Sequence, residues 1–231
     1  MATSWERTRD DTPPLVVAIV AYQGVLADES EAFREALSLV PGARVVTAGA
    51  ALGTVAGPGG AQEVTATFDD LDRADVVVVP GGLGTHRHPE ISMWLRRVRP
   101  RFVLASSTGS ALLAASGLLR GHTAVTHWLA GPLLERHGVT VSNARLFVDG
   151  PYVTCAGLAS AFDAAFVVAR DVGGPALVRE IREQLRTLTD SPPPVRATHH
   201  RREPRPRAEV QPRPRTSAPM VEVELEERPP R

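Results

Sequence analysis

The sequence predicts an α/β fold, a three-layer sandwich with a mostly parallel central sheet. Three observations carry that expectation. Segments 15–22 and 74–79 are apolar runs rich in Val, broken only by Asp75, the pattern of strands covered on both faces. Segments with apolar residues at helical spacing alternate with such runs. Gly or Pro stands at most of the junctions, where strand and helix must change direction.

Taken in order, 15–22 is the first buried strand and Gly24 breaks it. Ala32, Phe33, Ala36, Leu37 and Val40 give 28–40 one apolar helical face, which Pro41-Gly42 stops. A second strand is expected at 43–48, a Gly-rich loop at 49–60, an exposed strand at 62–68 and the start of a short helix at Asp69-Asp70. The strand 74–79 runs into Pro80-Gly81-Gly82-Leu83-Gly84, and a helix is expected over 89–97. The strand 102–105 turns through Ser106-Ser107-Thr108-Gly109 into a small-residue helix, 110–119. A short strand at 124–127 and a helix at 129–137 follow. Strands at 139–147 and 152–155 flank Asp149-Gly150, a hairpin signal, and helices at 158–170 and 175–188 close the domain.

Composition limits the function classes. At 231 residues with 43% hydrophobic content, the chain suits one domain of ordinary size plus an appendage. The net charge is zero, so the chain as a whole has no pull toward nucleic acid or anionic membrane. All 26 basic side chains are Arg, which excludes a Schiff-base lysine. A single cysteine, Cys155, excludes an internal disulfide and a Cys-cluster metal site, and suits a reducing compartment. No apolar run is long enough to span a bilayer and residues 1–14 form a polar lead, so the expected location is cytoplasmic. The domain is expected over 15–188. From 189 to 231 the composition changes: the last 41 residues hold 10 of the 20 prolines, and the stretch reads as a disordered Pro/Arg-rich tail. Arg-rich 196–215 and Glu-rich 221–227 make that tail internally polarised.

The strand–turn–helix at 102–119 is where an α/β protein presents a nucleophile, with helix-start amides beside it. Ser107 is the residue so placed. Four stretches then occur in order: Val79-Pro-Gly-Gly-Leu-Gly84, Ala105-Ser-Ser-Thr-Gly-Ser-Ala-Leu-Leu-Ala-Ala-Ser-Gly-Leu-Leu-Arg-Gly121, Ala124-Val-Thr-His-Trp128 and Val153-Thr-Cys-Ala-Gly157. Together they resemble the ThiJ/PfpI superfamily, whose flavodoxin-like, class I glutamine amidotransferase-like fold the resemblance implies for roughly 15–188. The chain looks most similar to the branch holding isonitrile hydratases and the amidotransferase-like domains of AraC-type regulators.

In that branch the turn reads Ser-Val-Cys-Thr-Gly, so the nucleophilic cysteine falls on Ser107 and its threonine on Thr108. Thr108 stands where the protease-like branch has a histidine, which argues against a peptidase. A serine hydroxyl is far less acidic than a thiol and needs a general base. The family's acid, commonly in Asp-x-x-Gly-Pro-x-Glu-x-Phe, falls on Val25 when Gly24-Val25-Leu-Ala-Asp28-Glu29-Ser-Glu31-Ala-Phe33 is anchored on Glu31 and Phe33. Asp28 or Glu29 is left to substitute, or else both serve the N-terminal end of the helix. The resemblance also implies that Gly81 and Gly82, with Thr108 and Gly109, line a substrate or oxyanion pocket. A tight turn that needs glycine is the alternative at Gly81 and Gly82. His127 is the available base for Ser107, or a packed or capping histidine. Asp163 matches an Asp of the family's next helix, or is a structural acid. Phe162 beside it is large enough to fill pocket space. Cys155 reads as a buried inert thiol. His86 and His88 are placed to line a pocket mouth, and as metal ligands they lack a third partner.

The resemblance implies a small-molecule C–N hydratase or hydrolase, converting an isonitrile to an N-substituted formamide, with Ser107, Glu29 or Asp28, and His127 as candidate catalytic residues. A catalytically inactive ligand-binding or regulatory protein is the alternative, and a serine-dependent esterase or amidase a third. A homodimer is implied; no cofactor and no metal is. No helical periodicity follows the domain, so direct sequence-specific DNA binding is not expected.

Overall fold

The computed structural model describes residues 13–189. The expected disordered tail and most of the polar lead lie outside the described residues. The elements are β1 (Leu15–Val20), α1 (Ala27–Ser38), β2 (Ala43–Gly49), β3 (Gly53–Gly57), β4 (Gly60–Val64), β5 (Ala66–Thr67), β6 (Val76–Val79), α2 (Pro89–Val98), β7 (Phe102–Ser106), α3 (Gly109–Ala115), β8 (Thr123–Ala124), α4 (Gly131–Arg136), β9 (Thr140–Val141), β10 (Leu146–Asp149), β11 (Tyr152–Cys155) and α5 (Leu158–Thr189). Short 3-10 turns stand at Thr85–Arg87 and Trp128–Ala130.

Seven strands make one sheet in the order β10-β11-β7-β6-β1-β2-β5. The described pairs are parallel except the β10–β11 hairpin, which turns at Gly150 (φ 59°). The apolar run of β1 explains its central place. Val17 and Ile19 pack into one layer with Phe33 and Leu37 of α1 and Val168 and Ile181 of α5. Ala18 and Val20 face the other layer, with Leu95 of α2 and Leu112 and Leu113 of α3. Alternate side chains of one strand thus serve two cores, which is why both must be apolar. Burial of each large side chain contributes about 1.5–3 kcal/mol.

Several local expectations are corrected. The Gly-rich stretch at 49–60 is not loop throughout: β3 pairs antiparallel with β4. Gly57 serves close approach. A Cβ on Gly57 would lie 1.9 Å from the Val25 carbonyl oxygen, and the hairpin is fastened to the β1–α1 turn by Gly24 N–H to Ala56 O (2.8 Å) and Ala27 N–H to Pro58 O (3.0 Å). Asp69-Asp70 forms a turn, held by Thr67 Oγ1 donating to Asp70 Oδ2, and no helix starts there. The helix after the elbow stops at Ala115, because Gly117 turns the chain at φ 78°. The expected strand 139–147 is two short strands, β9 and β10. The two expected closing helices are both present within α5, which breaks between them at Gly174 (φ 68°, ψ −168°) before Pro175, a residue whose ring disfavours helical geometry in its predecessor.

Candidate functional site

The parallel strands β1, β6, β7 and β11 end side by side, and the turns that follow them meet at Ser107. Strand β7 turns straight into α3, and Ser107 takes φ 52°, a left-handed conformation that costs a non-glycine residue about 1–2 kcal/mol. Surrounding hydrogen bonds hold it there. The Ser107 amide donates to Cys155 O (3.0 Å), and the Ser107 carbonyl accepts from Ser110 Oγ and Thr126 Oγ1 (2.9 Å each). Glycines make the room. A Cβ on Gly109 would lie 2.1 Å from Val79 O, and one on Gly81 would lie 2.7 Å from Ser107 Cβ.

Glu29 enters from the first turn of α1 and is 4% exposed. A carboxylate this deep must be hydrogen-bonded, since an unpaired buried charge costs several kcal/mol. Its Oε2 accepts from the Gly81 amide (2.8 Å) and from Ser106 Oγ (2.6 Å). The position a Cβ would take on Gly81 is 3.0 Å from both Glu29 Oε2 and Ser107 Oγ, so the two groups are neighbours across one glycine. They are not bonded: Ser107 Oγ makes no hydrogen bond among the described residues. Thr108 Oγ1 accepts from the Gly82 amide and donates to the Gly82 carbonyl, both at 2.9 Å. The Gly81 and Gly82 amides expected to face an oxyanion are therefore already engaged, by Glu29 and by Thr108. The Thr108 amide makes no backbone hydrogen bond among the described residues.

A model of the DJ-1/PfpI family matches residues 17–170. The chain belongs to the DJ-1/PfpI family. It is 34% identical over 126 residues to an isonitrile hydratase of Pseudomonas putida, covering 52% of this chain and 55% of that one. It is 29% identical over 123 residues to the HTH-type transcriptional regulator CdhR of Pseudomonas aeruginosa, covering 51% of this chain and 37% of the regulator. The match thus spans about half of the first relative and little more than a third of the second. Among solved structures, a ThiJ/PfpI family protein from Pseudomonas syringae superposes with a TM-score of 0.71 at 23% identity, over 86% of this chain and 84% of that one. This likeness shows the fold.

The DJ-1/PfpI domain does not gather every predicted residue at the elbow. Asp28 is exposed, and its Oδ1 lies 2.8 Å from where a Cβ on Gly59 would stand, against the β3–β4 hairpin. Adjacent residues on a helix diverge by about 100°, so only one of Asp28 and Glu29 can face the sheet. Neither caps α1, whose N-cap is Leu26 without a side-chain bond. His127 caps the 3-10 turn Trp128–Ala130, its Nδ1 accepting from the Leu129 amide at 3.3 Å. That bond leaves the neutral ring's proton on Nε2, a donor where a base was expected. Asp163 pairs with Arg145 (2.8 Å) and Arg182 (3.9 Å) on the outer side of α5. Cys155 is fully buried, and burial first, then the Glu29 charge, push its thiol up to about 12.

Three groups absent from the sequence expectations belong to the site. Ser106 bonds Glu29, and Thr126 braces the strained carbonyl. Tyr22 donates from its hydroxyl to Pro80 O at 2.8 Å; burial first and then Glu29 push its phenol up. The Tyr22 ring packs on His88, centroids 4.8 Å apart. Both line a cleft of about 280 Å³ with Gln23, Leu52 and Glu90. The His86 side chain lies outside the described ones. The only sequence signal for Ser106 was the serine doublet itself, and nothing told which serine faces inward.

Proposed function

We propose that this DJ-1/PfpI domain binds a small polar molecule at the C-terminal edge of its sheet and that Ser107 is not an activated nucleophile. One observation carries the reading: the Glu29 carboxylate is hydrogen-bonded to Ser106 and Gly81, while Ser107 Oγ has no hydrogen-bonded base among the described residues. Serine needs its proton taken as it attacks. Of the neighbouring groups, Cys155 holds its proton, Tyr22 is spent on Pro80, and His127 caps a turn. The cleft beside Tyr22 offers a ligand both apolar wall and polar edge. The test is turnover of an alkyl isonitrile, read as appearance of the N-substituted formamide. Wild type is expected at the level of Ser107→Ala, and Ser107→Cys above both. Wild-type turnover that Ser107→Ala abolishes would overturn the reading.

A second reading is isonitrile hydration by Ser107, favoured by the identity to an isonitrile hydratase and by the strained elbow. Ser107 Oγ would add to the terminal carbon while Glu29 passes the hydroxyl proton to that carbon, giving a serine-bound imidate. Water would then add to the imidate carbon and the Ser107 O–C bond would break, releasing the N-substituted formamide and restoring the hydroxyl. We also propose a homodimer. Trp128 (77% exposed) and Leu129 (65%), directly after the histidine cap, leave apolar surface uncovered near the elbow. No helix of the described residues is long and apolar enough to cross a membrane.

A further inference from the structure

The two serines of the elbow carry the same hydroxyl and use it differently. Ser106 is fully buried at the end of β7, and among the described residues its only side-chain hydrogen bond is the 2.6 Å donation to Glu29 Oε2. That length lies in the range of a hydroxyl bonded to an ionised carboxylate. Gly81 N–H supplies the second donor to the same oxygen. Position 107 lies just across Gly81 from that oxygen. If the carboxylate turned toward position 107, the Ser106 hydroxyl would be left buried without a partner.

We propose that Ser106 is a positioning residue that holds the Glu29 carboxylate away from position 107, and so withholds from the elbow the base its geometry would otherwise supply. The proposal deepens the reading of Ser107 as unactivated and names the second cause of it. With the Ser106 hydroxyl gone, Glu29 keeps only the Gly81 donor, and its carboxylate is free to turn toward position 107, where a like charge disfavours a thiolate. The titratable groups around position 107 are Glu29 from α1, Cys155 from β11 and, at longer reach, Tyr22, Asp163 and His127.

The experiment uses the full chain with Ser107→Cys as background. The rate of alkylation of that cysteine by iodoacetamide is followed against pH, with the peptide located by mass spectrometry. Adding Ser106→Ala, or the volume-filling Ser106→Val, is expected to raise the midpoint by about one pH unit, because the released carboxylate places a like charge beside the thiolate. Adding Ser106→Thr, which keeps the hydroxyl, is expected to leave it in place. Adding Glu29→Gln to Ser106→Ala is expected to cancel the shift. A midpoint unmoved by Ala and Val, or moved equally by Thr, overturns the proposal. Its failure is separable from that of the unactivated-serine reading, which is judged on wild-type isonitrile turnover with serine at 107.

Discussion

Two neighbouring turns on one sheet edge each hold half of a nucleophile. The β7–α3 turn has the geometry: Ser107 at φ 52°, with an acid across Gly81. The β11–α5 turn has the sulfur: Cys155, fully buried, its thiol pushed up to about 12. They are joined by the hydrogen bond from Ser107 N–H to Cys155 O (3.0 Å). The difference teaches that reactivity belongs to position as much as to the atom. A hydroxyl on a strained elbow lacks acidity, and a thiol in an apolar strand end lacks exposure and charge stabilisation.

Moving the sulfur is the strongest way to break that contrast. In Ser107→Cys, the new thiol should be alkylated at least ~100-fold faster than Cys155 near neutral pH, because its thiolate fraction exceeds that of a thiol held near 12 by several powers of ten. Peptide-resolved labelling reads both in one sample. Comparable rates would show that the two turns do not differ as described.

The glycine between acid and elbow gives the next effect. Gly81→Ala places a Cβ 2.7 Å from Ser107 Cβ and 3.0 Å from Glu29 Oε2, so strand end and carboxylate must both shift. Urea unfolding should show a loss of about 2–3 kcal/mol.

The buried thiol should also appear in the pH dependence of stability. The folded protein holds the Cys155 proton more tightly than the unfolded chain, whose thiol ionises near its ordinary value of 9.0. The resulting stabilisation is complete below pH 9 and is lost as pH rises toward 12. Wild type should therefore lose on the order of 1–2 kcal/mol more than Cys155→Ala between pH 9 and about pH 10.5. Comparing the two slopes removes the contribution of Tyr22, which acts in the same direction in both.

The smallest effect sharpens the other turn. Ser107→Gly relieves the positive φ and should raise stability by up to about 1 kcal/mol. A decrease would mean that the Ser107 side chain makes a stabilising contact that its lack of hydrogen bonds does not suggest.

The sequence alone determined the layered α/β order and the place of the elbow. Those features rest on local rules: apolar runs for strands covered on both faces, helical spacing for the faces that cover them, and glycines where backbones crowd. Val17 and Ile19 against Ala18 and Val20 carry two cores on one strand, and a periodic pattern suffices to show it. The Gly-rich hairpin of β3 and β4 was illegible because Gly57 answers to the Val25 backbone, which is distant in the sequence. The site was legible only as positions. Tertiary structure decided which acid points inward, Glu29 and not Asp28, and which of two identical serines bonds it. It also spent the Gly81 and Gly82 amides that the motif seemed to offer. The physical reason is one of range. Secondary structure follows from neighbours along the chain, whereas a buried hydrogen bond is set by groups 52 and 77 residues apart that meet only when the sheet closes.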